Sequence, residues 1–153
     1  MRDAGKALTA VVSTRNYGGL WWNAPGGSEA GWGINFAHQG DTVFASWFTY
    51  DLTGKAWWLV MSANKTAGNS YSGTRFQAPG PAFDAMPFPP IGSPGGAVGS
   101  SVGTGTLTFS DASDGTFAYT VNGISQTKSI TRQTFGPLPL CTFGQQVNLS
   151  LTS

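Results

Sequence analysis

From residue 30 to residue 62 apolar side chains return at alternate positions, the period of a strand with one buried face. Two breaks divide this stretch into three predicted strands. The first is Gln39-Gly40, lying between His38 and Asp41, where glycine supplies the positive φ of a two-residue hairpin. Pairing outward from it sets Phe36 opposite Val43, Ile34 opposite Ala45 and Trp32 opposite Trp47. The second, from Asp51 to Lys55, reads as a type I turn followed by a glycine bulge at Gly54. It brings Trp57, Leu59 and Met61 onto the same face, whereas a slip of one residue would put Trp58 and Val60 there. That apolar face is the predicted core. The opposite face carries Phe44, Ser46, Phe48, Tyr50, Trp58 and Val60, beside Gly31, Gly33 and Asn35. A solvated face is normally polar at these positions, so the pattern predicts that something covers it.

The last third of the chain holds a second meander. Strands over 102–109 and 115–121 flank an acidic loop, and Asn122-Gly123 is the strongest short hairpin signal present. Pairing around it sets Val121 opposite Ile124, Tyr119 opposite Gln126 and Phe117 opposite Lys128. One face is then small and hydroxylic, running through Thr116, Ala118, Thr120, Ser125, Thr127, Ser129 and Thr131. The other joins Leu107, Phe109, Phe117, Tyr119, Val121, Ile124 and Ile130 with Gln126, Lys128 and Arg132, so two cations point to the apolar side.

Upstream, residues 7–13 and 17–23 read as short strands, and 62–70 as a loop. Residues 70–77 form a further strand in which small residues alternate with Tyr71 and Arg75. Residues 78–101 contain six of the nine prolines and no periodicity; their apolar portion is a candidate lid, or a loop covering one end of the core. Residues 145–153 alternate Val147, Leu149 and Leu151 with polar residues as a terminal strand. The expected fold is a single all-β domain over 1–153, an antiparallel up-and-down barrel of about eight strands. An N-terminal arm at 1–14 and the C-terminal strand add to it, and a β-sandwich is the alternative.

Composition narrows the picture. High glycine and abundant aromatics, with few helix formers, agree with an all-β chain. A net charge of +1 without a basic cluster excludes an electrostatic footprint for nucleic acid or an anionic membrane. No run is long enough to span a bilayer as a helix. The single Cys141 forms no intramolecular disulfide, and its apolar setting predicts an inert thiol. The apolar run near the start is too short for a signal peptide. That leaves a cytoplasmic protein or a secreted one lacking its leader, and the composition favours the secreted form.

Two stretches carry a resemblance. The opening GLWWN followed by SEAGWG, and the close KSITRQTF, are similar to a recurrent β-domain of secreted proteobacterial proteins with a GLWWN…SGWG opening and a KxIxRxxF close. The similarity covers about residues 17–143, and SEAGWG departs from the family's more usual ESGWG. It implies secretion but supplies no activity or catalytic residues. The architecture also resembles avidins and lipocalins, without a motif that would transfer biotin or lipid binding.

Candidate chemistry is sparse. With one histidine and one glutamate, the chain lacks the base or ligand clusters of a serine, cysteine or metal enzyme. His38 facing Asp41 reads as a surface pair beside a turn, and Glu29 as an ion-pair partner for Lys128 or Arg132. The SDASDG run lacks the ligand count of a calcium loop. No cofactor and no metal are implied. The candidate ligand-binding residues are Trp32, Trp47, Trp57, Tyr119, Lys128 and Arg132, an aromatic wall with two cations. The leading expectation is a non-catalytic secreted module that self-assembles, or joins another extracellular protein, through terminal strands and aromatic faces. The alternatives are a module binding a glycan or an apolar carboxylate in the barrel mouth, and an enzyme of the small-barrel isomerase or cyclase kind.

Overall fold

A computed structural model describes residues 15–137. Eight strands follow one another: β1 (Gly19–Asn23), β2 (Gly33–Gln39), β3 (Thr42–Tyr50), β4 (Ala56–Ala67), β5 (Ser70–Gln77), β6 (Ser100–Phe109), β7 (Asp114–Val121) and β8 (Ile124–Arg132). Each pairs antiparallel with its neighbour in sequence, and β1 pairs with β8, so the sheet closes into an up-and-down barrel. Closure excludes the sandwich alternative and leaves no open edge in the sheet. The strands predicted at 7–13 and 145–153, and Cys141, lie outside the described residues.

The turns explain the registers. Asn122 and Gly123 both take positive φ, and Val121 faces Ile124, Tyr119 faces Gln126 and Phe117 faces Lys128, as their turn chemistry demands. Asp51–Lys55 forms the expected bulged turn, closed by the Gly54 amide on the Asp51 carbonyl at 2.9 Å. The first hairpin differs from expectation by two residues. Its loop is Gly40-Asp41, so His38 faces Val43, Phe36 faces Ala45 and Ile34 faces Trp47. Only Gly40 is at positive φ there, whereas a Gln39-Gly40 loop of the type I′ form would force glutamine into that region. Because the shift is even, every side chain keeps its predicted face.

A second difference lies at 62–70. The predicted loop is strand as far as Ala67, because β4 must stay paired with both β3 and β5. Ala63 points inward and is fully buried, while Asn64 faces out and accepts from the Thr42 hydroxyl at 3.0 Å. The proline-rich connection occupies 78–99, with β6 starting at Ser100. Its Phe83, Met86 and Ile91 are almost fully exposed, Phe83 at 98%, and do not pack down on the barrel.

The outward faces are unlike one another. On β6–β8 they carry threonine and serine, with bonds such as Thr120–Ser125 at 2.7 Å, and Thr106 also bonds Ser72 of β5 at 2.8 Å. On β3–β5 they carry Phe44, Phe48, Trp58 and Phe76, each about two-fifths to one-half exposed. No described residue covers this aromatic strip.

Candidate functional site: the open end of the barrel

The two ends of the barrel are built differently. One gathers the β2–β3, β4–β5 and β6–β7 turns together with the chain leading into β1. It is filled with rings. Tyr17 stacks on Phe109 with centroids 3.7 Å apart, and Trp21, Phe36 and Tyr71 surround Phe109 at 5.2–6.1 Å. The Trp21 indole N–H donates to the Tyr17 carbonyl at 2.9 Å, and the Tyr17 amide donates to Nδ1 of His38 at 3.1 Å. His38 also contacts the Gly40 carbonyl through Nε2. His38 therefore seals this end, and Asp41 pairs with Lys65 at 3.4 Å instead of with His38.

Arg132 belongs to the same sealed end. Its guanidinium donates to the carbonyls of Asn16, Gly18 and Ala112 and lies 5.0 Å from the Trp21 ring. The inward register expected for it is present, but its donors are spent on backbone that holds the chain entering β1. It takes no part in the recess at the other end.

That recess, about 270 Å³, opens between the β1–β2, β3–β4 and β7–β8 connections. Trp32, Trp47, Trp57, Tyr119 and Lys128 all line it, so five of the six candidate residues meet in one place. Trp32 and Trp47 are at once core and wall: both are buried, and their rings meet edge to face at 6.0 Å. Trp57 is half-buried against them. At the rim, Lys128 is bonded to Glu29, which also accepts from the Asn23 amide at 3.1 Å. The Tyr119 hydroxyl donates to Gln126 at 2.6 Å, and burial pushes its pKa up. A shallower depression of about 400 Å³ on the outside of β6–β8 is lined mostly by threonine, serine and small residues, with Tyr119 its one aromatic.

The residue missed by sequence reasoning is Arg75. It points inward from β5, 1% exposed, and is the one buried charged side chain among the described residues. Its guanidinium lies 3.9 Å from the Trp47 ring centroid, 4.9 Å from Phe117 and 5.3 Å from Tyr119. Nε and Nη1 are buried without a hydrogen-bond partner among the described residues, as are the indole nitrogens of Trp32 and Trp47. Burial pushes the Arg75 pKa down to about 9, which leaves it charged at neutral pH. The signal was present in the alternation of 70–77, which sets Arg75 on the face of the buried Tyr71.

Two backbone irregularities lie beside it. The register between β5 and β6 shifts after Arg75, so that Val102 is an extra residue opposite the step to Phe76. The cross-strand neighbour of Arg75 on β6 is Gly103, whose φ of 149° suits glycine and whose missing Cβ lets the Thr120 backbone of β7 approach closely.

The fold and site together define a closed eight-stranded antiparallel barrel with one sealed end and one open, aromatic-lined end. Comparison of the chain with protein-family models, curated proteins and solved structures finds no match. Among the described residues no three metal-ligating side chains cluster, and no helix is long and apolar enough to cross a membrane.

Proposed function

We propose that this chain is a non-catalytic, secreted binding module whose open barrel end holds a small ligand with a flat, largely apolar body. The observation that carries the reading is the convergence of Trp32, Trp47, Trp57 and Tyr119 on one recess rimmed by a few polar groups. Concave, mostly apolar sites with a small number of placed polar groups are the usual form of small-molecule sites. The groups that would be needed for acid–base work are otherwise engaged. Glu29 is bonded to Lys128, and the Asp51 carboxylate accepts from Thr53 and Lys55 within its own turn. Tryptophan fluorescence titrated with short glycans and with apolar ligands tests the reading. A saturable response weakened by Trp57→Ala is expected; silence of the folded protein across both panels would sink it.

Self-association is the second reading, supported by the exposed strip of Phe44, Phe48, Trp58 and Phe76. With the sheet closed, the described strands offer a neighbour this aromatic face and no free edge. Light scattering at tens of micromolar should then report a dimer or larger species that Phe48→Ser with Trp58→Ser dissociates. A monomer in the unmutated protein would remove this reading and leave the first intact.

A further inference from the structure

We propose that Arg75 anchors a ligand carboxylate, so that the molecule held at the open end is an aromatic or apolar monocarboxylate. The inference deepens the binding-module reading and rests on it. Its starting point is the kind of group left unpartnered beside the recess. Among the described residues these are Nε and Nη1 of Arg75 and the indole nitrogens of Trp47 and Trp32, the last lying beside the Tyr119 hydroxyl without the geometry of a full hydrogen bond. All four are N–H donors; neither guanidinium nor indole can accept. Nothing they lack can be supplied by another donor, so the complement must bring acceptor oxygens. Because one of these groups is a buried cation, the complement that also neutralises it is an oxyanion.

The carboxylates near this end do not fill the role. Glu29 is committed to Lys128 and Asn23 at the rim. Asp51 is committed to its turn. Lys128 is correspondingly neutralised by Glu29, whereas Arg75 is buried with no counter-charge among the described residues. Contact with the Trp47, Phe117 and Tyr119 rings offsets part of the cost of burying it, but supplies no acceptor.

Position links the guanidinium to the recess. Trp47 and Tyr119 both line the recess and both lie against Arg75. Arg75 does not itself line the recess, so a carboxylate reaches it only if the Tyr119 ring, whose hydroxyl is held by the exposed Gln126 on the rim, swings aside. A buried guanidinium N–H gives a carboxylate oxygen a charge-assisted hydrogen bond. A phosphate monoester, more heavily charged and hydrated, suits the ring walls less well. The body of the ligand then lies along Trp32 and Trp57, in a volume of about 270 Å³ that takes a molecule of two fused rings.

The test uses 2-naphthoate and its neutral counterpart 2-naphthalenemethanol, followed by tryptophan fluorescence on the unmutated chain, Arg75→Met and Arg75→Gln. The unmutated chain should bind the naphthoate roughly 30-fold more tightly than the alcohol, and either variant should abolish that preference while holding the alcohol as before. Thermal unfolding of each variant shows that it is folded, and Arg75→Gln serves if Arg75→Met does not fold. Naphthoate binding that survives both substitutions would overturn the anchor and leave the binding reading in place. So would a chain that takes the alcohol and refuses the naphthoate. Failure of both probes on the folded protein would also overturn the inference, while the glycan panel decides the binding reading separately.

Discussion

At the sealed end of the barrel Trp21 and Arg132 are both satisfied: the indole by the Tyr17 carbonyl, the guanidinium by three backbone carbonyls. At the open end the same two residue types, Trp47 and Arg75, are buried among rings and lack such partners among the described residues. Composition does not separate the two ends, since each stacks an arginine on a tryptophan inside an aromatic cluster. What separates them is backbone. The chain entering β1 lays carbonyls across one end, and among the described residues no carbonyl reaches Nε or Nη1 of Arg75 at the other. The buried Tyr17 hydroxyl, without a partner among the described residues, is the exception at the sealed end.

The contrast can be broken most forcefully at Phe109, the centre of the sealed cluster. Phe109→Ala should lower the unfolding free energy by about 3–5 kcal/mol in urea denaturation. A loss near zero would mean that this end is not the packed one. Arg132→Met should cost roughly 1.5–3 kcal/mol by stranding carbonyls it now satisfies, with ligand titrations at the open end unchanged. An altered titration would show that the ends are coupled.

Arg75→Met should behave in the opposite sense, holding stability or raising it by about 1 kcal/mol, because it removes a buried charge without a partner. The pH dependence follows. Burial lowers the Arg75 pKa in the folded chain to about 9 while the unfolded chain keeps the ordinary, higher value. Above that pH the unfolded chain therefore binds more protons, and the unmutated protein should gain stability relative to Arg75→Met between pH 8 and pH 10. Below pH 8 the difference should be flat.

Smaller effects sharpen the comparison at the rim. Glu29→Gln should change stability by less than about 1 kcal/mol, because the Glu29 and Lys128 side chains are 38% and 19% exposed and solvent screens the pair. It should nonetheless tighten binding of an anion by freeing Lys128. Smallest of all is Asp51→Asn. The Thr53 hydroxyl, then the Lys55 and Thr53 amides, lower the Asp51 pKa, so the help this carboxylate gives is present above its ordinary pKa and fades as pH falls through the lowered one. The stability gap between Asp51→Asn and the unmutated chain should close in acid, measured by denaturation from pH 6 down to pH 2.

Much of this was legible in the residues themselves. Asn122-Gly123 set the β7–β8 register, and Asp51–Lys55 set the β3–β4 register, because each turn admits few backbone conformations. The misplaced β2–β3 loop did no damage to the predicted faces, since a shift of two leaves the period-two pattern unchanged. The core face and the hydroxyl face followed from such local rules, whereas the choice of Lys128 over Arg132 as the partner of Glu29 did not. The extension of β4 through Ala67 did not, because its polar residues are held in the strand by partners on β3 and β5.

Local periodicity thus determined on which side of the sheet each residue stands, including the inward placement of Arg75, Lys128 and Arg132. It could not determine at which end of the barrel a side chain arrives, or what meets it there. Lys128 and Arg132 share a face and are four residues apart, yet one reaches the open rim and the other the sealed floor. Those levels depend on how eight strands stagger when β1 closes on β8, a condition imposed by residues more than a hundred positions apart. For the same reason only the tertiary structure could show that Arg132 is supplied with carbonyls while Arg75, among the described residues, is not.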